Sequence, residues 1–552
     1  MAVGDSNLFF NRDTKVFAVQ ATETSKFNVW ELPVLAGYSF SQGTNASQIT
    51  LNEMSDATGR SRRGQRSFND SLSPAEWSFD TYARPTLATV IRAPEEILWS
   101  SLLTEANFNA TANTSTGLGA TGAASYSGTS VTLTFTTAAT TNTYFKVGDY
   151  IKVSGLTATT NAPNGTFQIT AITNTTVTYT AALTPTGALT ATSAKIQSAT
   201  VASTSTETDF LAINSNKTKL ATFDLYFVLG ANKWNNISGV TANKFDTSEE
   251  TTIYKVANCV VNEATMNFEI DGIATISWSG MGTVISELAS IDFTDTGTYN
   301  FINNGVVSTS NMIRNRLTAL NAFSGLSADT STNLTSTGVV ISGGIATASY
   351  SAQTAAPYVV GQIIHVSGAT GTTGTINGVN IVLSSTTTQT TFATTATGTV
   401  SGTVVLAQPK KYGVTLTGGS ITISNNINFL TPEVLGVVNT PLGHVTGTRS
   451  VSGTFTCYLD EATNGSIDLY QDMLNATTTV TNRFQLQFFV GGKGSTAGYP
   501  AAPGVMFDMG QCHLEIPSIN IDDVIAFEVN FTALPSNISG TDELQKVRYV
   551  GV

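Results

Sequence analysis

The chain has 552 residues, with 26 basic against 38 acidic side chains and three histidines, a net charge of −12. Charged residues make up only 12%, about half the ~25% usual in soluble domains. Val, Ile, Leu, Phe and Tyr nevertheless recur at strand spacing throughout, which excludes a disordered chain, and the acidic balance excludes nucleic-acid binding by bulk charge.

The opening Met1-Ala-Val-Gly-Asp-Ser6 lacks the basic start and apolar core of an export signal, and no apolar run reaches the ~18 residues of a membrane helix. No export by that route and no membrane span are therefore expected. A pair of strands joined near Thr24 leads to Tyr38, Phe40 and Ser41. Then comes Gly59-Arg-Ser-Arg-Arg-Gly-Gln-Arg66, which sets Arg60, Arg62, Arg63 and Arg66 in a glycine-punctuated loop. Such arginines can form bidentate pairs with a neighbour's carboxylates; a solvated loop is the plainer alternative. The segment Pro94-Glu-Glu-Ile-Leu-Trp-Ser-Ser-Leu-Leu103 predicts a helix with Ile97, Leu98 and Leu102 on one face and acids leading, as its dipole favours.

From Ala110 to Ser205 the charged residues are Lys146, Asp149, Lys152 and Lys195, amid Thr, Ser, Ala and Gly with β-branched runs. The strand Phe223-Asp-Leu-Tyr-Phe-Val-Leu-Gly230 alternates apolar residues at period two, and a strand, turn, strand unit follows through Cys259, Met266 and Trp278. Residues 325 to 408 hold one charged residue, Asp329. Then come Gly418-Gly-Ser-Ile-Thr-Ile-Ser-Asn-Asn426, a mostly apolar loop from Thr431 to His444 with Glu433, and Thr448-Arg-Ser-Val-Ser-Gly-Thr-Phe-Thr-Cys-Tyr458. A second helix is expected at Ile467-Asp-Leu-Tyr-Gln-Asp-Met-Leu474, with Leu469, Tyr470, Met473 and Leu474 inward, and a strand at Phe484 to Gly491.

These elements repeat. Phe223 to Gly230 reads again as Phe484 to Gly491, and an offset of 253 lays Cys259 on Cys512, Met266 on Ile519, Ile276 on Val529 and Trp278 on Phe531. An offset of 383 lays Tyr38, Phe40 and Ser41 on Ile421, Ile423 and Ser424, and Gly64, Arg66 and Ser67 on Gly447, Arg449 and Ser450. Phe223, Phe227, Cys259, Trp278 and their partners Phe484, Phe488, Cys512, Phe531 are the expected duplicated core. The two charge-poor blocks match at an offset of 213, with Val153-Ser-Gly155 on Val366-Ser-Gly368 and Asn164-Gly165 on Asn377-Gly378. Each is read as a small all-β domain with Asn-Gly as its hairpin turn. The expected division is module A at 1–107 and 206–300, an inserted domain at 108–205, module B at 301–324 and 409–552, and a second inserted domain at 325–408.

No catalytic, metal or cofactor site is expected. His365 in an insert strand, His444 in a loop and His513 share no ligand spacing. Cys512 and His513 are adjacent on a strand and point to opposite faces, so they cannot form a nucleophile-base pair. Three cysteines, with Cys259 and Cys512 equivalent, read as buried thiols of a reducing cytoplasm and not as a disulfide framework. Glu249-Glu250 and Asp522-Asp523 read as turns, and Gly491-Gly-Lys-Gly494 as a hairpin without the helix a phosphate loop needs.

The order of elements in both modules resembles a bacteriophage tail tube protein, carried by the Gly418–Asn426 and Thr448–Tyr458 strands, the helix and Phe484–Phe489, and in module A by Trp77–Tyr82, the Pro94 helix and Phe223–Gly230. The resemblance implies a mainly β fold of two β-sandwich or rolled-sheet modules, each with one flanking helix, and no enzyme activity. It implies rings closed by an inner β-barrel and stacked into a tube. The loops at Asp56–Asn69 and Phe429–Thr448 would bridge rings, which makes Arg60, Arg62, Arg63, Arg66, Glu433, His444 and Arg449 the expected stacking contacts, basic and apolar in alternation. With two modules per chain, as in the long-tailed siphophage type, a homotrimer would make a pseudo-hexameric ring. Implied partners are further copies of the chain, double-stranded DNA and a tape-measure protein in the lumen, and terminator and baseplate or tip proteins at the ends. The implied place is the virion, after assembly in the host cytoplasm. The inserts would be immunoglobulin-like knobs on the outside, favouring a sheathless tail. The alternatives are a terminator or baseplate-hub ring of the same fold, or a Thr-rich β-repeat adhesin.

Overall fold

The computed structural model describes residues 9–21, 27–50, 65–87, 91–104, 116–117, 123–136, 147, 150–181, 184–191, 194–198, 201–203, 206–211, 219–231, 243–246, 251–295, 297–302, 311–342, 344–358, 362–394, 396–431, 439–476, 484–494, 501–517, 519–520, 524–535, 543–544 and 546–551. The chain is mainly β, with two α-helices among these residues, α1 (Glu96–Leu103) and α2 (Ser466–Ala476).

One antiparallel ladder organises the molecule. In spatial order it runs Ser39–Thr50, Gln65–Tyr82, Thr275–Gly282, the C-terminal half of Thr252–Glu269, Leu416–Ser424, Ser450–Tyr458, Ala526–Ala533 and Ile519–Asn520. Period-two alternation gives it one apolar side: Ile276 and Trp278 are buried while Thr275, Ser277 and Ser279 turn away. That side meets α1 and the remaining strands in a single buried cluster containing Trp30, Trp77, Trp99, Trp278, Phe455 and Phe507.

The halves of the chain share registers. Phe223 pairs with Cys259 and, past an irregularity, Leu225 with Val256; Phe484 pairs with Cys512 and, past the same irregularity, Leu486 with Met509. Val16 and Ala18 stand opposite Phe227 and Leu225 as Leu320 and Ala322 stand opposite Phe488 and Leu486. Ala18 then faces Trp30 and Ala322 faces Tyr412. Each of these aromatics reaches a helix: Trp30 Nε1 donates to Glu96 Oε1 at 2.8 Å, and the Tyr412 hydroxyl donates to Asp472 on α2.

Some expectations change. The offset of 383 fails on the second strand of its hairpin, because Glu76, not Ser67, stands opposite Ser41 as Ser450 stands opposite Ser424. In the first half this hairpin grows past the ladder, with Thr44–Thr50 against Gln65–Leu72. Helix α1 begins at Glu96 and every one of its residues is buried, not one face only. It is covered by the C-terminal strand Lys546–Val550, which pairs with Glu207–Leu211 and brings the Tyr549 hydroxyl to Trp99 Nε1 at 2.9 Å. On α2, Leu469 and Met473 are buried but Leu474 is exposed.

The charge-poor blocks have separate cores. The first is a sheet in the order Thr116–Gly117, Lys195–Ser198, Tyr150–Ser154, Gly165–Ile172, Thr176–Thr180, Ser130–Thr134, Ala123–Ser127. The second follows the corresponding order and closes as a barrel of Leu334–Ser342, Ile345–Tyr350, Gln389–Ala393, Gly378–Ser385, Ile363–Ser367 and Val405–Ala407. A closed barrel replaces the immunoglobulin-like pair of separate sheets; its bulged pairs at Ser336/Gly338 and Val382/Ser384 supply the curvature. Val201–Ser203, assigned above to the first insert, pairs instead with Glu207–Leu211 in the large sheet. The Asn-Gly pairs are latches rather than two-residue turns. Leu156 N donates to Asn164 Oδ1 at 2.9 Å and Asn164 Nδ2 to Leu156 O at 2.7 Å; Ala369 and Asn377 do the same at 2.9 Å each way.

Candidate functional site

The second side of the ladder is a continuous polar surface shared by strands of both halves. Its positions read Ser39 and Ser41; Glu76, Ser78 and Asp80; Ser277 and Ser279; Glu263, Thr265, Asn267 and Glu269; Ser420, Thr422 and Ser424; Ser452, Thr454 and Thr456; Glu528, Asn530 and Thr532. Carboxylates occur among these named positions and neither lysine nor arginine does. Hydroxyl pairs tie the strands across this face: Ser39 Oγ and Ser78 Oγ lie 2.9 Å apart, and Thr265 Oγ1 and Thr422 Oγ1 3.1 Å apart across the joint between the halves. A concavity of about 250 Å³, lined by Ser39, Ser41, Glu76, Ser78 and Ser279, opens onto it. The sequence holds the signal for this face in the alternate Ser, Thr and Glu positions of each strand, once the strands are known to adjoin.

Of the expected stacking residues, Arg60, Arg62, Arg63 and Glu433 lie outside the described residues, and Arg66 is described only as a strand position. The two loop regions do come together: Leu72 N donates to Asn439 O at 2.8 Å and Asn439 N to Asp70 O at 3.1 Å. Around this contact Phe68, Leu430 and Leu442 are exposed, Leu442 by 73%. His444 and Arg449 face inward instead. His444 lies in the short strand Gly443–Val445, is buried, and accepts from Leu220 N at 2.9 Å; burial, with Lys219 nearby, holds its imidazole below the usual value. Arg449 pairs with Glu543, both nearly buried. The eight expected core residues, Phe223, Phe227, Cys259, Trp278, Phe484, Phe488, Cys512 and Phe531, all belong to the one large cluster.

Cys259, Cys457 and Cys512 are free and buried; burial raises all three thiols, Cys457 to about 12, which suppresses the thiolate a nucleophile needs. His513 is exposed on the strand face away from Cys512. His365 Nε2 lies 3.1 Å from Ser324 O, at the root of the barrel. Among the described residues no group of three His, Cys, Asp or Glu is placed to hold a metal ion.

Sequence reasoning missed a buried carboxylate pair. Glu95 and Glu96 read as helix-leading acids, yet both are buried. Glu96 is held by Arg92 and Trp30, whereas Glu95 accepts from the Tyr549 hydroxyl; burial, the largest influence on each, pushes Glu95 up to about 7. No local signal could have revealed this, since the partner Tyr549 comes from the far end of the chain.

No family model matches the chain. Over 134 residues, 24% of its length, the chain is 38% identical to the tail tube protein pb6 of Escherichia phage T5. That match spans 28% of the relative.

Proposed function

We propose that the chain is a structural protein of a phage virion, the building block of a tail tube. The carrying observation is the continuous ladder with a hydroxyl and carboxylate face, and the similarity to a tail tube protein supports it. In this reading three copies close a pseudo-hexameric ring, each contributing its two halves, and rings stack into a tube assembled in the host cytoplasm. Closure satisfies sheet edges that would otherwise invite aggregation.

The polar face lines the lumen. Glu76, Asp80, Glu263, Glu269 and Glu528 repel DNA phosphates, and a trimer carries three times −12, or −36. DNA and a tape-measure protein therefore pass along this wall without adhering. The adjoining loops at Phe68 and Leu442 bridge one ring to the next through apolar contact. The two charge-poor β domains, each with its own core, project outward, and terminator and tip proteins cap the ends.

Expression of the chain alone, followed by electron microscopy with symmetry analysis, tests the reading. Hollow tubes with a threefold, near-sixfold cross-section and outer knobs are expected. Isolated rings would point to a terminator or hub, and a monodisperse monomer would overturn the assembly reading.

A further inference from the structure

The ladder contains one joint between the halves, and the chain carries the two edges needed to repeat it. Inside the chain, Glu263–Glu269 pairs antiparallel with Gly418–Ser424, setting Ala264 against Ile423 and Met266 against Ile421. These four apolar side chains are at most 2% exposed.

Each strand of this joint has a counterpart elsewhere. Ile423 pairs with Val451 as Phe40 pairs with Trp77, so the counterpart of the Leu416–Ser424 strand is the one that begins at Ser39. Met266 lies seven residues beyond Cys259 as Ile519 lies seven beyond Cys512, and the cysteines occupy matching places against Phe223 and Phe484. Among the described pairings, Ser39–Ser41 has a strand on one side only, Gln65–Tyr82, and Ile519–Asn520 has only Ala526–Ala533.

Burial reports the same incompleteness. Ile519 is 38% exposed where Met266 is 2% exposed, and Ile516 beside it is 44% exposed. Tyr38 and Phe40 are half-buried where Ile421 and Ile423 are each 1% exposed. Among the described pairings, the ladder edge at Ile519–Asn520 lacks the neighbour that buries its counterpart.

We infer that Ile516–Asn520 of one copy adds antiparallel to Leu35–Ser41 of a second copy, repeating the internal joint, with Ile519 packed among Tyr38 and Phe40. The inference rests on the ring reading for its closure but not for its edges. Because the two edges differ, the contact is head-to-tail and propagates until the rotation closes. Apolar side stays continuous with apolar side across the joint, since Ile519 pairs with the core residue Phe527.

Two single variants of the full chain, Ser41→Cys and Ile516→Cys, place thiols at exposed positions, while the three native cysteines are buried. Treated with a short bismaleimide, a mixture of the two should give covalent dimers that neither variant gives alone, and the double variant should give a ladder of larger species. Rings or tubes without a mixture-specific cross-link would overturn the edge pairing and leave the ring reading standing. Cross-linked chains without rings would uphold the pairing and overturn ring closure; neither product would overturn both. As a second readout, Ile519→Asp should abolish the sedimenting assembly with an unchanged thermal melt of the monomer, and assembly that survives it would count against the pairing.

Discussion

At the scale of single residues, the buried acids at the start of α1 carry the clearest consequence. Glu95 binds its proton more tightly in the fold, at about 7, than at the ordinary 4.5, because burial penalises the charged form. Its contribution to stability is therefore greatest below pH 4.5 and declines as pH rises through 7, by up to about 3 kcal/mol. Glu95→Gln keeps an acceptor for Tyr549 and abolishes the titration. Chemical denaturation at pH 5 and pH 8 should show the variant gaining on the wild type by an amount of that order; an equal gap at both pH values would contradict it. His444 and Arg449 illustrate how little a polar residue's type says about where it points. Both were legible as loop contacts, and both are drawn inward by partners, Leu220 and Glu543, that lie far away in the chain.

Strands and turns were more legible than their joints. Apolar alternation located the strands at Phe223 and Phe484, but the irregular pairing that each makes with its cysteine strand is set by the tertiary structure. Alternation could not reveal that the hairpin of Ser39–Thr50 and Gln65–Tyr82 outgrows its counterpart, since hydroxyl-rich extensions look alike in any register. A glycine under an aromatic recurs with the roles exchanged: Gly280 faces Trp77 and Gly453 faces Phe531, and a Cβ would come within 2.3 Å and 2.8 Å of those rings. The asparagine latches are the local device of the inserts. Asn377→Ala removes both bonds to Ala369, at a cost of about 1–3 kcal/mol, and should speed hydrogen exchange at Ala369 N–H and through residues 370–376 without affecting the ladder. Asn164→Ala should act likewise at Leu156.

For the whole molecule, two of the described strand pairings join the halves, the Thr252–Glu269 and Leu416–Ser424 joint and the one where Glu207–Leu211 meets Lys546–Val550. At the second pairing Arg548 Nη2 donates to Asp209 Oδ2 at 2.8 Å and Nη1 lies 2.8 Å from Glu207. The inserts have cores of their own. Ala319–Ala328 pairs with Pro409–Tyr412 around the barrel as Lys15–Ala21 pairs with Phe27–Leu32 around residues 22–26. Replacing residues 330–407 by the stretch 22–26 should leave a chain that folds and assembles with one knob fewer in each copy, as seen by electron microscopy; loss of the folded monomer would show the barrel to be part of the core.

By itself the sequence determined the mainly β class, the recurrence of one set of strands in both halves, and the weakly charged composition of the inserts, because each is written in the periodicity and chemistry of neighbouring residues. Only the tertiary structure decided that the polar sides of strands from both halves merge into one acidic face, that Glu95 is buried under Tyr549, and that Ile519 and Tyr38 stay more exposed than Met266 and Ile421. Those properties depend on which distant strands adjoin and in what register, and a period-two pattern specifies the face of a strand but not its neighbour.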